Sequence, residues 1–192
     1  WGETGWNSME FDKIKYPDAK AMIDEVHDLG YKIMISVWSR VATVGSRTLN
    51  ERNKHLGTTL GNDLAAKGYF IPGTEWIDYF NPVAAEYYWN SFRDSLVVLG
   101  FDGWWFDATE PDNDYELLDR RVADNTIPGE VYRNVYPLVA NRTMYNGFKE
   151  YYQPDKMPVV LTRSAFAGSQ RYGVITWSGD IRGTWGSFER QI

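Results

Sequence analysis

Cysteine is absent from the 192 residues, so neither a disulfide framework nor a thiolate metal site is available to this chain. Histidine is nearly absent, with only His27 and His55. A Ser-His-Asp arrangement is therefore a poor account of Ser164 or Ser178, and no His/Asp/Glu cluster has metal-ligand spacing, so neither a metal nor a cofactor is expected. His27 falls on a predicted helix and is expected to be structural. Positive charge is scarce and scattered: the net charge is −6, and Arg120-Arg121 is the only adjacent basic pair. That argues against a nucleic acid partner. No apolar run approaches the roughly 18 residues that suggest a membrane span, and no glycine-rich phosphate loop follows a predicted strand. No leader is evident; the chain begins at Trp1 and is expected to start in mid-fold.

Aromatic residues are plentiful instead. Nine Trp and thirteen Tyr exceed what a core alone tends to use, and flat rings suit stacking on the C–H faces of sugars. A hydrophobic content of 43% implies one folded unit with a large core.

A helix, a glycine and then a strand recur along the chain. Pro17-Asp18 opens a helix with Met22, Ile23, Val26 and Leu29 on one face and Gly30 as its stop. Tyr31 to Trp38 is the strand that follows. Asn81-Pro82 caps a second helix running to Leu99, with Gly100 behind it and a strand from Phe101 to Phe106. A third helix spans Pro137 to Tyr152, followed by a strand at Val159 to Thr162. A fourth strand spans Gly173 to Ser178, and a last helix runs from Thr184 to Ile192. Alternating elements of this kind give parallel strands with helical crossovers. Candidate chemistry recurs at strand ends, at Trp38-Ser-Arg40, Asp107, Arg163 and Asp180, as a barrel that gathers its strand ends onto one face requires. The expected fold is α/β, the central part of a (β/α)8 barrel truncated at both ends. Residues 1–192 would form a partial catalytic barrel of four to five βα units, the fifth strand lying before Glu10. The segment from Ser39 to Asp78 is expected to be a long functional loop.

The most informative stretch is Phe101-Asp-Gly-Trp-Trp-Phe-Asp-Ala-Thr-Glu-Pro111. It delivers Asp107 at the end of a buried aromatic strand, with Glu110 three residues on. Asp180 is a second acid just past an apolar strand and beside a tryptophan. Cleaving a glycosidic bond takes two flanking carboxyl groups, so the pair points to glycoside hydrolysis. The bland alternative is that Asp107 and Glu110 cap a following helix, a role that Asp112, Asn113 or Asp114 would also fill.

Gly103-Trp-Trp-Phe-Asp-Ala-Thr-Glu-Pro111 resembles the nucleophile segment of glycoside hydrolase family 31, whose form is W-x-D-x-N/T-E. Leu161-Thr-Arg-Ser-Ala-Phe-Ala-Gly-Ser-Gln-Arg-Tyr-Gly173, followed by Thr176-Trp-Ser-Gly-Asp180, resembles that family's acid/base region. Residues 1–38 resemble its second-strand exit, helix and third strand, so the likeness covers essentially the whole chain in order. It implies a retaining exo-acting α-glycosidase with an α-glycoside or oligosaccharide substrate. Asp107 would be the nucleophile, and Asp180, buried beside Trp177, the acid/base. Arg163 would bind sugar hydroxyls, Trp177, Trp105 and Trp38 would form apolar walls, and Glu110 would orient the nucleophile. Asp102, and with it Arg171, would be structural. α-Xylosidase is favoured over α-galactosidase, α-N-acetylgalactosaminidase and α-glucosidase. Xylosidase-type members often carry proline where this chain has Ser39, and the Ser39–Asp78 segment matches no relative closely, so the sugar stays open. A non-catalytic sugar-binding protein on the same scaffold is the rival of another class. A chain lacking the remaining strands is expected to be inactive by itself.

Overall fold

A computed structural model describes residues 7–46, 56–111 and 120–192. The first helix, α1 (Ala19–Asp28), starts where Asp18 accepts the Ala21 N–H at 2.8 Å. Gly30, at φ 81°, turns the chain out of it. Only Ile23 of its expected apolar face is fully buried, and Leu29 is exposed. Strand β1 (Met34–Trp38) begins three residues later than the pattern predicts. Tyr31 to Ile33 instead approach Asp102, which accepts the Ile33 N–H at 3.0 Å.

The expected loop from Ser39 to Asp78 holds a helix, α2 (Thr59–Ala66), capped by Thr58 and buried through Leu60 and Leu64. Two isolated antiparallel bridges pair further described residues, Arg40 before that helix with Trp76 after it, and Phe70 with Ile77, both after it. The i, i+4 pair of leucines behind Thr58-Thr59 was the available signal for this helix. Helix α3 (Pro82–Ser95) starts as predicted, with Asn81 accepting the Val83 N–H at 3.0 Å, but a 3-10 turn at Val97–Leu99 replaces its last turn.

Strand β2 (Gly103–Asp107) pairs in parallel with β1, Trp38 opposite Asp107. It starts two residues later than the apolar run, because Asp102 is taken up with bonds to the approach to β1. A short antiparallel ribbon, β3 (Arg121–Val122) with β4 (Ile127–Pro128), and a helical turn, α4 (Gly129–Tyr132), were not foreseen. Helix α5 (Tyr136–Tyr151), β5 (Val159–Thr162), β6 (Val174–Thr176) and a short α6 (Trp185–Glu189) complete the order. The fifth strand expected before Glu10 is absent at residues 7–10, and residues 1–6 lie outside the described chain.

The main sheet has the order β1-β2-β5-β6, and every pair in it is parallel. The spatial order follows the chain order without reversal. A doubly wound sheet reverses at its switch point, whereas a barrel does not. Helices α3 and α5 cover one sheet face, where Trp104 meets Phe92 edge to face and stacks on Phe148, at centroid distances of 4.5 and 5.9 Å. Alternation along β2 sends Trp104 and Phe106 to that core and leaves Trp105 and Asp107 on the opposite face, partly exposed. Asn141 is 1% exposed within α5, so the sequon Asn141-Arg-Thr143 is not presented at the surface. Among the described residues no helix is long and apolar enough to cross a membrane.

Candidate active site

The face of the sheet away from α3 and α5 carries a cleft of ≈ 560 Å³ lined by Trp105, Asp107, Leu161, Arg163, Trp177, Gly179 and Asp180. The lining follows from strand periodicity: residues 105 and 107 of β2, 161 and 163 at β5, and 177 and 179 past β6 are spaced two apart, so they share one face. Four of the six aromatic and charged residues expected at the site from strands β2 to β6 thus come together from parallel strand ends, and Asp180 joins them at the rim.

Asp107 is held at two points. Its Oδ1 accepts the Ala108 N–H at 2.8 Å and lies 3.1 Å from Arg163 Nη1. Ala108 is fully buried with φ 48°, a strained conformation for a residue with a Cβ, directly behind the candidate nucleophile. The next residue pins the turn. The Thr109 hydroxyl meets that of Thr162 at 2.9 Å and that of Ser164 at 3.1 Å, and it accepts the Ser164 N–H at 3.2 Å.

Arg163 joins both acids of the motif. Its Nη1 faces Asp107 while its Nε donates to Glu110 Oε1. Glu110 Oε2 is buried without a hydrogen-bond partner among the described residues. The guanidinium fork is suited to bridging two carboxylates, which one ammonium cannot do in the same plane. The backbone is fixed as well, since the Arg163 N–H donates to the Phe106 carbonyl at 3.0 Å. Glu110 is paired to Arg163, and the helix that the capping alternative needs lies outside the described residues. Asp112, Asn113 and Asp114 lie outside the described residues.

Trp105 and Trp177 meet edge to face with centroids 5.1 Å apart, making an apolar corner beside the acids. Asp180 corrects the expectation of burial: its side chain is exposed, because no described residue covers the far side of β6. Trp38 stands opposite Asp107 in register, on the sheet face that Asp107 occupies, while Val37 and Phe106 turn into the core; Trp38 also borders a small cavity with Ser39, Tyr79, Tyr88, Thr109 and Asn141. Its peptide is held by Asn7, whose side chain donates to the Trp38 carbonyl at 2.6 Å and accepts its N–H at 3.1 Å. Asn7 so acts as a surrogate strand neighbour at the edge of β1.

Asp102 and His27 form a separate cluster at the opposite end of β2. His27 Nε2 lies 2.8 Å from Asp102 Oδ2, and Lys32 Nζ lies 2.9 Å from Oδ1. Burial raises the Asp102 pKa, but the bonds from Lys32, the Ile33 N–H and His27 outweigh it and leave the carboxyl below its usual range. Arg171 is exposed in a 3-10 turn, Ser169–Tyr172. Thr109, Ser164 and Asn7 were not singled out for these positioning roles, since nothing local marks a side chain whose partner is 31 or 55 residues away.

The family described as Glycosyl hydrolases family 31 TIM-barrel domain matches residues 1–192. An α-xylosidase of Saccharolobus solfataricus is 34% identical over 200 residues, covering 100% of this chain and 25% of its own length. The glucosidase 2 α-subunit of Saccharomyces cerevisiae is 30% identical over 183 residues, covering 88% of this chain and 19% of its own. The crystal structure of a family 31 α-xylosidase from a soil metagenome, complexed with xylose, aligns with a TM-score of 0.76 at 31% identity, over 100% of this chain and 28% of that one. The chain thus spans about a quarter of the length of these relatives. With the sheet order, the helical crossovers and a match over its whole length, this chain belongs to glycoside hydrolase family 31, within the family's TIM-barrel domain.

Proposed function

We propose that residues 1–192 form part of the catalytic barrel of a retaining, exo-acting α-glycosidase, with α-xylosides as substrate. The observation that carries this reading is the Arg163 fork between Asp107 and Glu110 on a cleft lined by Trp105 and Trp177. In this mechanism Asp107 attacks the anomeric carbon while Asp180 protonates the departing glycosidic oxygen. Water then releases the sugar from Asp107, with Asp180 taking its proton. A retaining geometry brings the two carboxyl groups to about 5–5.5 Å. Arg163 supports the nucleophile and offers donors to sugar hydroxyls, Glu110 holds Arg163 in that pose, and Trp105 and Trp177 receive the sugar's apolar face. Trp38, opposite Asp107 in register, adds a further apolar wall on the same face.

The preference for α-xylosides rests on two α-xylosidases among the relatives. The yeast relative, named as a glucosidase subunit, supports α-glucosides as the second reading. α-Galactosides and α-N-acetylgalactosaminides complete the panel. One small group in a pocket discriminates by only about 1–3 kcal/mol, so a single contact decides among them.

The test is turnover of aryl α-xyloside, α-glucoside, α-galactoside and α-N-acetylgalactosaminide by the full-length protein and its Asp107→Ala variant. One sugar should be turned over, with kcat lowered by roughly 10³-fold or more in the variant. A slow fluorosugar substrate should add its glycosyl mass to the peptide containing Asp107. Sugar binding without turnover of any substrate would instead identify a non-catalytic binding protein.

A further inference from the structure

Strands β2 and β5 stop at Asp107 and Thr162, and the contact between them continues past both ends. The Arg163 N–H donates to the Phe106 carbonyl at 3.0 Å, and the Arg163 side chain faces Asp107. Just beyond, Thr109 meets Thr162 and Ser164. Thr109 and Thr162 are 2% and 0% exposed, so water does not compete for their hydroxyls.

Counting protons fixes the direction of each bond. A hydroxyl has one proton to give and two lone pairs to receive with. Thr162 donates to the Ser164 carbonyl at 3.1 Å, so its oxygen accepts from Thr109 at 2.9 Å. That uses the single Thr109 proton, and the Ser164 hydroxyl must then donate to Thr109 at 3.1 Å. The Ser164 N–H fills the second lone pair of Thr109 at 3.2 Å. The three hydroxyls form a closed ring, which leaves Ser164 by its hydroxyl and returns to its carbonyl. Bonds that run one way round such a ring polarise one another, and Thr109 has no bonding capacity left.

The ring grips the residue that follows a strained one. Ala108 is buried at φ 48°, a conformation that persists only where its surroundings impose it. The Ala108 N–H in turn donates to Asp107 Oδ1 at 2.8 Å, so the same turn sets the pose of the candidate nucleophile. Asp107 Oδ1 also faces Arg163, the chain neighbour of both Thr162 and Ser164.

We propose that Thr109 is a positioning residue for the nucleophile: its hydroxyl ring with Thr162 and Ser164 holds the left-handed turn at Ala108 and keeps the Asp107 carboxylate aimed into the cleft beside Arg163. This inference rests on the glycosidase reading above. Thr109 does not line the cleft and acts through Asp107.

The experiment uses the full-length protein and the aryl α-glycoside that it turns over. It compares wild type with Thr109→Val, which keeps the shape and removes the hydroxyl, and with Thr109→Ser, which keeps the hydroxyl. Because kcat/KM reports the attack by Asp107, it should fall about 100-fold in Thr109→Val, while the inhibition constant of the free sugar changes less than about threefold. Thr109→Ser should stay within about fivefold of wild type. Glycine adopts positive φ without strain, so Ala108→Gly in the Thr109→Val background should raise kcat/KM at least about tenfold. An undiminished Thr109→Val, an equal weakening of the inhibitor, a serine variant as impaired as the valine one, or no recovery with glycine would overturn the proposal. Should Thr109→Val not fold, Ser164→Ala withdraws one donor from the ring and should lower kcat/KM about tenfold with the inhibition constant unchanged; an undiminished kcat/KM would again overturn it. A readout without substrate separates the ring from the proposed activity. The Ser164 amide should exchange with solvent at least about tenfold faster in Thr109→Val, with the β2 amides unchanged. A wild type inactive on every α-glycoside would sink the glycosidase reading, whereas unchanged Ser164 exchange would sink the ring.

Discussion

Arg163 illustrates how much of the site depends on the shape of a single side chain. Its guanidinium reaches Asp107 through one nitrogen and Glu110 through another, and its own N–H is tied to β2. A lysine would keep the charge and lose the fork. Arg163→Lys is therefore expected to lower kcat/KM by roughly 100-fold, the cost of a small misplacement at a reacting centre. The melting temperature should move little, because the side chain is partly exposed and the backbone bond survives. Steady-state kinetics beside thermal melting checks both halves. A variant with near wild-type kcat/KM would remove Arg163 from the site. The sequence showed Asp107, Glu110 and Arg163 as residue types at strand ends, but not that one arginine binds both acids. That contact joins residues 53 and 56 positions apart, and local spacing carries no record of it.

The elements were legible where their signals were local. Asp18, Asn81 and Thr184 begin α1, α3 and α6 as N-caps, and the glycines at 30 and 100 take the positive φ that ends a helix. Ends set by tertiary contact were not legible: β1 and β2 both start late because Ile33 and Asp102 bond each other across the approach. Gly147 is another case. It lies inside α5, where glycine lowers helix propensity, and the reason is spatial. A Cβ there would stand 2.2 Å from ring atoms of Trp89 on α3. Gly147→Ala should thus destabilise by about 1–3 kcal/mol through overpacking, despite alanine's better propensity. Denaturant unfolding measures this. A stabilised variant would show that the contact between α3 and α5 gives way easily.

Across the whole molecule, one carboxylate ties several described parts of the connection after β1 together. Glu75 pairs with Arg40 at 2.7 Å, accepts the Thr43 N–H and hydroxyl at 2.9 Å, and accepts the Ser46 hydroxyl at 2.9 Å. Burial raises its pKa, but those bonds outweigh the desolvation and leave it below the usual glutamate range. The sign follows from linkage: a depressed folded-state pKa contributes stability that is complete above the unfolded value and is lost as pH falls through the folded one. Stability should therefore decline below about pH 4.3, the unperturbed glutamate value. Glu75→Gln should be less stable at neutral pH and lose less on acidification. Unfolding midpoints over a pH series check this. An unaltered acid limb would assign the loss to other carboxylates.

Composition and pattern by themselves determined the alternation of helix and strand, the parallel sheet, the absence of disulfide chemistry, and the acids that end two strands. Each is a local property of residue type and spacing. The tertiary structure decided the rest. It turned Trp105 and Asp107 toward one cleft and Trp104 and Phe106 into the core, brought Asp180 to the same cleft, and set Trp38 opposite Asp107. It also brought Asp78 against Asp124, 46 residues away. Such contacts arise only when strand ends converge and the connections between them pack, and packing over that distance is written in no single segment of the chain.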